Sequence, residues 1–585
     1  MAIAGLSTGE SLREAGRSWM EGQRFAFVRK GSREGKESFN FLLERWREDP
    51  NLTAGKVKES VAIEDLLGRN QWNEAVVKNE ERVVVIGSGF GGLSAAVRLR
   101  AMGYSVTLLE ARDQPGGRAS VFREQGYTFD AGPTVITAPY LFEELFEMVG
   151  RRLEDYVEMV PVDPFYRITF VDGTHFDYVG DEDRLLEQIR EFNPADVEGY
   201  KKLAAHSKRI FEIGYEELAD QPFDHLMDML RIVPEMIRLG NYRSVYSLVA
   251  KYIKDDRLRQ VFTFQPLLVG GNPFNVTSIY LLIHWLERKW GVHFAKGGTA
   301  AIVAGLVQLL EELDVEVRLN APVGEIVVEE GSVKAVVLEN GERIDCRFVV
   351  SNADPSFTYK EMVAPEHRSR NTDGRVGRVK QSMGLFVAYF GTDKKYEEIK
   401  HHTIVLGPRY KGLLNDIFNK KILAEDFSLY LHRSTATDES LAPEGHDSFY
   451  VLSPVPNNES GLDWDEIGEA YFEKILASLE ERHMPGLREH LTVKFWKTPN
   501  YFQEELRSVS GAGFGPEPRL SQSAWFRYHN RSEDVDGLYF VGAGVHPGAG
   551  LPGVITSAKV LEKLVPEPAQ KVEIPAAQPA QRASA

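Results

Sequence analysis

Cysteine and long apolar segments are scarce in this 585-residue sequence, and the 69 basic residues are outnumbered by 86 acidic ones; each of these features excludes a class of protein. Because Cys346 is the only cysteine, we expect no internal disulfide and no cysteine-based zinc site, and no other residues are predicted to bind a metal. No run of about 18 apolar residues is present, so we expect no segment that crosses a membrane. The formal net charge of −17 at pH 7 argues against a nucleic-acid partner, because phosphate contacts need a basic surface.

A short glycine-rich segment is the most informative part of the sequence. Residues 83–86 form a β-branched run typical of a buried parallel strand, and Gly87, Gly89 and Gly92 follow with the spacing G-x-G-x-x-G. This spacing permits a tight turn, a close approach of the backbone to a pyrophosphate, and close packing of the next helix. A second strand ends in Glu110, whose carboxylate can accept hydrogen bonds from ribose hydroxyls and would repel a 2′-phosphate. The segment predicts a binding site for an adenine dinucleotide other than NADP.

Two further segments favour FAD over NAD. The first is a glycine doublet followed by an arginine, whose guanidinium can approach the phosphates of the cofactor. The second, residues 537–557, is typical of a strand, a loop of small residues and a helix starting near Gly553, whose N–H groups can face the pyrimidine edge of a flavin. The residues predicted to bind FAD are Gly87, Gly89, Gly92, Glu110, Gly116, Gly117, Arg118, Gly542, Gly544, Gly553 and Val554.

Five stretches share the pattern of one enzyme family: residues 86–93 (IGSGFGGL), 116–137, 267–274 (LLVGGNPF), 428–432 (SLYLH) and 541–559. Through them the sequence resembles the bacterial-type phytoene desaturases, which are carotenoid desaturases of the flavin amine oxidase superfamily. The resemblance extends over most of the chain. It implies an FAD enzyme that removes hydrogen from a long isoprenoid hydrocarbon, converting phytoene towards lycopene or a related product.

The order of elements predicts an α/β fold, in which a Rossmann-like FAD-binding domain is assembled from discontinuous segments and carries an inserted α+β domain for substrate and membrane binding. The two halves of the flavin site lie more than 400 residues apart and must meet in one domain. The expected division is an N-terminal extension of unknown role (1–80), FAD-binding segments (81–150, 291–355 and 531–566), a helical substrate and membrane insertion (151–290), a substrate domain (356–530) and a disordered tail (567–585).

Charged residues within apolar stretches are the candidates for catalysis, because a flavin can take a hydride from the substrate while a base takes a proton. Asp228 and Arg231 lie three residues apart in LMDMLRIV and would share one helix face, with Asp228 accepting the proton and Arg231 orienting it. A surface salt bridge is the alternative. His293 and Lys296 are further polar candidates near the flavin, although a histidine that only packs at a helix entry is the favoured interpretation, and His546 is expected to shape the flavin loop.

The expected substrate dissolves in a bilayer, so we expect a cytoplasmic enzyme that lies on a membrane surface with its tunnel mouth facing lipid. The sequence has no pattern of a secretory signal. Predicted helices at residues 226–239 and 244–253, edged by basic residues, are the expected contact, and ordinary core packing is the alternative. Without a second nucleotide motif, electrons are expected to pass to oxygen or a membrane quinone. Association into a homo-oligomer stays open.

Three other interpretations stay open at this stage. The chain could be a later carotenoid desaturase or a ketolase, or a flavin amine oxidase acting on a soluble substrate. A different class is a non-enzymatic escort protein for prenylated lipids built on the same fold. An escort protein would lack the FAD contacts, so the yellow colour of a bound flavin in the purified protein distinguishes the two classes.

Overall fold

A computed structural model describes residues 82–575 as an α/β protein, and the predicted N-terminal extension lies outside the described residues. The strands are β1 (Arg82–Ile86), β2 (Ser105–Leu109), β3 (Val121–Glu124), β4 (Tyr127–Asp130), β5 (Ile136–Thr137), β6 (Met159–Pro161), β7 (Tyr166–Thr169), β8 (His175–Tyr178), β9 (Val292–Ala295), β10 (Glu316–Arg318), β11 (Val323–Glu329), β12 (Ser332–Leu338), β13 (Arg343–Asp345), β14 (Phe348–Ser351), β15 (Gly384–Thr392), β16 (His402–Val405), β17 (Leu429–Arg433), β18 (Asp447–Val455), β19 (Leu491–Lys497) and β20 (Leu538–Phe540).

Helices cover the sheets and connect them. They are α1 (Phe90–Met102), α2 (Tyr140–Glu147), α3 (Glu182–Phe192), α4 (Val197–Phe211), α5 (Leu226–Arg238), α6 (Val245–Tyr252), α7 (Asp256–Val261), α8 (Leu282–Trp290), α9 (Thr299–Glu312), α10 (Pro355–Phe357), α11 (Asp373–Val376), α12 (Tyr410–Asn415), α13 (Trp464–Arg482), α14 (Pro499–Glu504) and α15 (Leu551–Glu562). None of the helices within residues 82–575 combines the length and the apolar character that crossing a bilayer requires.

A parallel sheet with the order β10-β2-β1-β14-β20 carries the glycine turn. Val83 and Val85 pack on its helical face with α1, α9 and α15, while Val84 packs on the other face against the antiparallel sheet β11-β12-β13. Burial on both faces explains why residues 83–86 of β1 are all apolar. Because β14 pairs with β1 and with β20, segments from both ends of the described chain meet in one sheet. The predicted Rossmann-like domain of discontinuous segments is confirmed.

A second, seven-stranded sheet has the order β19-β15-β18-β17-β16-β7-β8. The predicted division separated a helical insertion (151–290) from a substrate domain (356–530). The observed sheet differs from this division, because β7 and β8 of the first segment pair with strands of the second. The link is a parallel pairing in which Thr403 lies opposite Arg167. The β7–β8 hairpin turns through Gly173 at φ +82°. The alternating pattern of this hairpin lies in a segment dominated by helical periodicity, so the sequence analysis did not predict it. Strands of both insertions belong to one sheet.

The C-terminal segment lies against the end of α1. Val572 N–H donates to the Gly103 carbonyl (2.8 Å), and Nη1 of Arg100 donates to the Val572 carbonyl (2.9 Å). These contacts correct the prediction of a disordered tail as far as residue 575, because the Val572 N–H satisfies a carbonyl at the end of α1 and Arg100 of α1 satisfies the Val572 carbonyl. Residues 576–585 lie outside the described residues.

Candidate active site

The glycine turn and the acid after β2 are joined by hydrogen bonds. Glu110 Oε2 accepts from the Ser88 N–H (2.8 Å) and from the Ser88 hydroxyl (2.6 Å), and its Oε1 accepts from the Arg112 N–H (3.0 Å). Glu110 is buried at the carboxyl edge of the parallel sheet. This edge is where a dinucleotide binds in such folds, so the carboxylate is fixed where a ribose would lie.

The three glycines of the first turn lie where a positive φ angle or a close neighbouring atom leaves no room for a side chain. Gly87 adopts φ +91°, and a Cβ at Gly92 would overlap the Gly87 carbonyl oxygen. A Cβ at Gly89 would lie 2.9 Å from Asn352 Nδ2. α1 begins at Phe90 without a side-chain cap or an acid in its first turn, and this end of the helix borders a large cavity. Its first N–H groups are therefore free for an anion such as a pyrophosphate.

The second glycine doublet positions a half-buried arginine. Gly116 and Gly117 both have positive φ angles, of 105° and 56°, and Arg118 follows on the cavity wall. Arg118 Nη2 donates to Ser508 Oγ (3.0 Å), whereas its Nε has no partner in the described part of the chain. Burial lowers the pKa of Arg118, and the nearby Asp354 partly offsets this effect. A half-buried cation with a free donor fits an anionic ligand.

The closing segment near the C-terminus completes the site. α15 begins at Leu551, two residues before the predicted start near Gly553, and has neither a side-chain cap nor an acid in its first turn. Gly553 and Val554 border the cavity. Gly542 and Gly544 act through packing instead: Gly542 has φ +93°, and a Cβ at Gly544 would overlap the Pro355 ring.

Two residues that the sequence interpretation missed hold these segments together. Asn352 follows β14, borders the cavity and lies against five glycines from the first turn, the start of α1 and the closing segment, and its N–H donates to the Ile86 carbonyl (2.8 Å). Its place directly after a strand of the parallel sheet was the signal that could have found it. Arg527 is buried and donates to the carbonyls of Val545 (3.0 Å) and Ala543 (2.5 Å), which fixes the closing loop. No sequence signal marks Arg527.

Together these residues fit FAD. The site offers two uncapped helix N-termini, a half-buried guanidinium, a fixed carboxylate for ribose, and glycine contacts too close for any side chain. The sequence-predicted FAD residues all lie at this site, either bordering the cavity or packed directly behind its wall.

The cavity continues from the FAD site into the second domain and has a volume of about 530 Å³. This is within the usual range for small-molecule sites. Beyond the glycine segments its wall is almost entirely apolar and comes from α5, α8, α12 and the seven-stranded sheet. The wall residues of this part include Met229, Ile232, Met236, Phe264, Leu267, Ile279, Leu282, Ile283, Leu286, Leu385, Val387, Ile404, Leu406, Leu413, Leu414, Ile417 and Leu452.

The catalytic pair predicted on α5 lies outside this cavity. Asp228 Oδ2 accepts from the His225 N–H (3.2 Å), and its Oδ1 lies 3.6 Å from Arg231 Nη1. The Arg231 side chain is 74% exposed, and neither residue borders the cavity. The structure thus gives Asp228 a helix-capping role, because a carboxylate at the third position satisfies a free N–H at the start of a helix. The predicted catalytic role is not supported by this geometry.

The other candidates have structural partners. Lys296 forms an ion pair with Glu158 (2.7 Å) at the surface, and half-buried His293 lies on β9. His546 borders the cavity with its Nε2 3.2 Å from the Leu218 carbonyl, and burial lowers its pKa to about 4. His546 therefore stays neutral and anchors the closing loop, in the role that the sequence suggests.

A polar wall interrupts the apolar cavity. Tyr430 and Tyr450 border it, and their hydroxyls lie 3.0 Å and 2.6 Å from Thr134 Oγ1. Behind Tyr430 lie three buried histidines, and Nδ1 of His402 is 2.7 Å from the Tyr430 hydroxyl. One ring nitrogen from each of His401, His402 and His432 lies within 4.8 Å of the others, which is close enough to hold a metal ion, a grouping that the sequence analysis did not foresee.

Comparison with known proteins agrees with this geometry. The family model of the flavin containing amine oxidoreductases matches residues 90–560. An oxidoreductase from Methanosarcina mazei (TM-score 0.56, 16% identity, covering 82% of this chain and 100% of that chain) and a putrescine oxidase (TM-score 0.55, 15% identity, 83% and 99%) share the fold. The chain therefore belongs to the flavin containing amine oxidoreductase family.

Curated relatives place the chain in a smaller group within this family. The chain is 50% identical to a lycopene-forming phytoene desaturase of Pantoea ananas, over 83% of this chain and 98% of that protein. It is 46% identical to a neurosporene-forming phytoene desaturase of Rhodobacter capsulatus, over 86% and 97%. Within the larger family, the chain is thus a member of the bacterial-type phytoene desaturases. The predictions of the family and of FAD as the cofactor are confirmed.

Proposed function

We propose that this protein desaturates phytoene with FAD and that it takes this substrate from a membrane surface through α5. The observation that supports this proposal is that α5 has two apolar faces. Met229, Ile232 and Met236 border the cavity, while other apolar side chains of the same helix are open to solvent. The exposed fractions are 48% for Leu226, 56% for Met227, 52% for Leu230 and 61% for Ile237.

Exposed apolar side chains on one helix are costly in water unless something covers them. Tyr242 and Phe526 are exposed beside or close to this helix, and the short turn that contains Phe526 contacts it. Arg231 and Arg238 are exposed on α5 itself. An apolar face with basic residues at its edge matches a helix lying in the headgroup region of a bilayer. The local patch supplies the attraction that the overall negative charge does not.

The cavity fits the proposed chemistry. When bound, FAD supplies the acceptor for a hydride from the carbon next to the existing polyene. The glycine turns and Arg118 would hold the cofactor, and the apolar wall of the same cavity would hold the hydrocarbon. The same wall excludes water, which protects a positive charge that develops on the substrate.

For reoxidation we propose a membrane quinone or oxygen as the electron acceptor. A quinone is an apolar ring compound that dissolves in the same bilayer as phytoene, and the route along α5 would admit both. Reoxidation rates measured with quinone in vesicles, and with oxygen alone, distinguish the two acceptors.

Vesicle flotation tests the membrane contact. We expect that Leu230→Glu combined with Ile237→Glu lowers the fraction of protein that floats with anionic vesicles, because each charge replaces an exposed apolar contact. Val171→Glu is the matched control, because Val171 is 52% exposed in the β7–β8 hairpin, away from α5. An unchanged floating fraction for the double variant would refute the contact. Chromatography of products formed from phytoene by the wild-type protein tests the activity itself.

A further inference from the structure

We propose that Glu287 is the proton acceptor of the desaturation, taking at Oε2 the proton that leaves the carbon adjacent to the site of hydride loss. The inference deepens the proposed function and rests on it. Glu287 lies on α8, which also supplies Leu282, Ile283 and Leu286 to the cavity wall. The acid thus borders the cavity among the side chains that would hold the hydrocarbon.

One carboxyl oxygen of Glu287 accepts a hydrogen bond, and the other has no partner in the described part of the chain. The residue is 0% exposed, and Oε1 accepts a hydrogen bond from the Tyr166 hydroxyl (2.7 Å). Oε2 has no hydrogen-bond partner among residues 82–575, and the Gln265 amide approaches without reaching hydrogen-bond geometry. Such an unsatisfied buried carboxyl oxygen is rare in folded proteins, because it has lost its water without gaining a partner.

Binding a hydrocarbon does not explain this acid. Phytoene has no polar group that a carboxylate could recognise, and an aliphatic side chain at this position would pack against it at lower cost. The remaining use is chemical. Burial raises the pKa of Glu287 to about 8, and the hydrogen bond from Tyr166, together with the nearby Gln265 amide, only partly offsets it. An acceptor whose pKa lies near neutral pH is an effective general base, since it is partly ionised and still binds the proton firmly.

The step balances in atoms and electrons. FAD, held by the glycine turns and Arg118, would accept a hydride with both electrons of one C–H bond of the substrate, and a positive charge would then be spread over the polyene. The C–H bond on the adjacent carbon then breaks, its electron pair forms the new C=C bond, and its proton goes to Glu287 Oε2. Two C–H bonds are lost and one double bond is gained. A carboxylate near the charged polyene also stabilises it through electrostatic attraction.

His402 is the competing acceptor, reached through the Tyr430 hydroxyl at 2.7 Å. Two observations favour Glu287 over it. His402 does not border the cavity, so its proton would need a relay through Tyr430. His402 also lies beside two further imidazoles, His401 and His432, which oppose a positive charge on it.

Glu287→Gln is the direct test, because the amide keeps the shape of the side chain and can still accept from Tyr166. We expect the variant to retain FAD, measured by flavin absorbance, and to bind phytoene, measured by extracting the bound hydrocarbon. Its turnover should fall by at least about 100-fold. Glu287→Asp should recover part of this loss. Glu517→Gln is the matched control, because Glu517 is also buried with one unpartnered oxygen and does not border the cavity. We expect it to turn over normally.

Several outcomes would overturn the proposal. Near-normal turnover of FAD-loaded Glu287→Gln would overturn it. So would a result in which Glu287→Gln turns over normally while His402→Gln loses its turnover. If Glu287→Gln fails to fold, infrared difference spectra of the wild-type protein decide instead. Phytoene deuterated at the carbon that loses the proton should shift a carboxylic acid band, and the absence of that shift would overturn the assignment. Failure of wild-type protein to desaturate phytoene would refute the proposed function itself, a distinct result.

Discussion

Ser88 and Glu110, 22 residues apart in sequence, are joined by two hydrogen bonds to a single carboxylate oxygen, from the Ser88 N–H at 2.8 Å and from its hydroxyl at 2.6 Å. The pairing ties the turn after β1 to the end of β2 and fixes the acid before any ligand arrives. A preorganised carboxylate loses little conformational freedom when a ribose binds. The arrangement connects the sequence motif with retention of the cofactor.

We expect Glu110→Ala to weaken FAD binding by about 10- to 100-fold, because hydrogen bonds to a charged group contribute roughly 1.5–3 kcal/mol each. The measurement is the ratio of FAD to protein after dialysis against increasing volumes of buffer. Glu311→Ala, on the far end of α9, is the control and should retain FAD as the wild type does. Equal retention by Glu110→Ala would show that the carboxylate does not contact the ribose.

Gly92→Ala should prevent assembly of the FAD site. The added Cβ would overlap the Gly87 carbonyl oxygen, so α1 would have to move away from the turn. We expect loss of bound FAD and a lower thermal unfolding temperature, measured by flavin absorbance and by circular dichroism. Gly374→Ala is the matched control, since a Cβ there meets no atom within 4 Å. A Gly92→Ala protein with full FAD content would contradict the packing argument.

The capping role of Asp228 predicts that Asp228→Asn retains FAD and most of its turnover. The asparagine side-chain oxygen can still accept from the His225 N–H, whereas a catalytic carboxylate would be lost. Asp228→Ala removes the cap and should lower thermal stability, by about 1 kcal/mol for a typical cap. Abolished turnover in FAD-loaded Asp228→Asn would restore the catalytic hypothesis drawn from the sequence.

The free energy of unfolding should decrease from pH 5 to pH 8 because of the titration of Glu287. Its pKa in the folded protein is about 8 against an ordinary value of 4.5, so the native state binds this proton more tightly than the unfolded state does. The stabilising contribution is complete below pH 4.5 and is lost as the pH rises towards 8. Buried Asp130, with its pKa raised to about 7, acts in the same direction.

The comparison of wild type with Glu287→Gln isolates this contribution. Denaturant unfolding of both FAD-free proteins at pH 5 and pH 8 is the measurement. We expect the variant to be relatively more stable at pH 8 than at pH 5. The buried histidines titrate with the opposite sign, but they are common to both proteins and cancel in the difference. An identical pH dependence in the two proteins would contradict an elevated pKa for Glu287.

The parts of the site that the sequence predicts well are those where backbone geometry restricts residue choice. Gly87, Gly92 and Gly542 are needed because a side chain would clash or because φ is positive, so these requirements are visible as motifs. Arg527 escaped prediction because it acts through carbonyl contacts, which leave no local pattern, and Asn352 because its contacts with the glycines come from long-range packing and only its place directly after β14 marks it.

Tertiary context also explains the other differences. Asp228 and Arg231 do share a helix face as their spacing predicts, but the spacing does not say whether that face meets the cavity or water. Glu287, within LERKW, is typical of an exposed charged helix, and only the packing of α8 buries it. The hairpin β7–β8 was hidden in a segment dominated by helical periodicity, and its partner strand β16 lies more than 200 residues away.

The most direct test of the account is anaerobic incubation of the FAD-loaded protein with phytoene in vesicles that contain a quinone, followed by chromatography of the extracted carotenoids. The account predicts products with additional conjugated double bonds, formed at the expense of phytoene. Recovery of unchanged phytoene from protein that holds its full complement of FAD would contradict it.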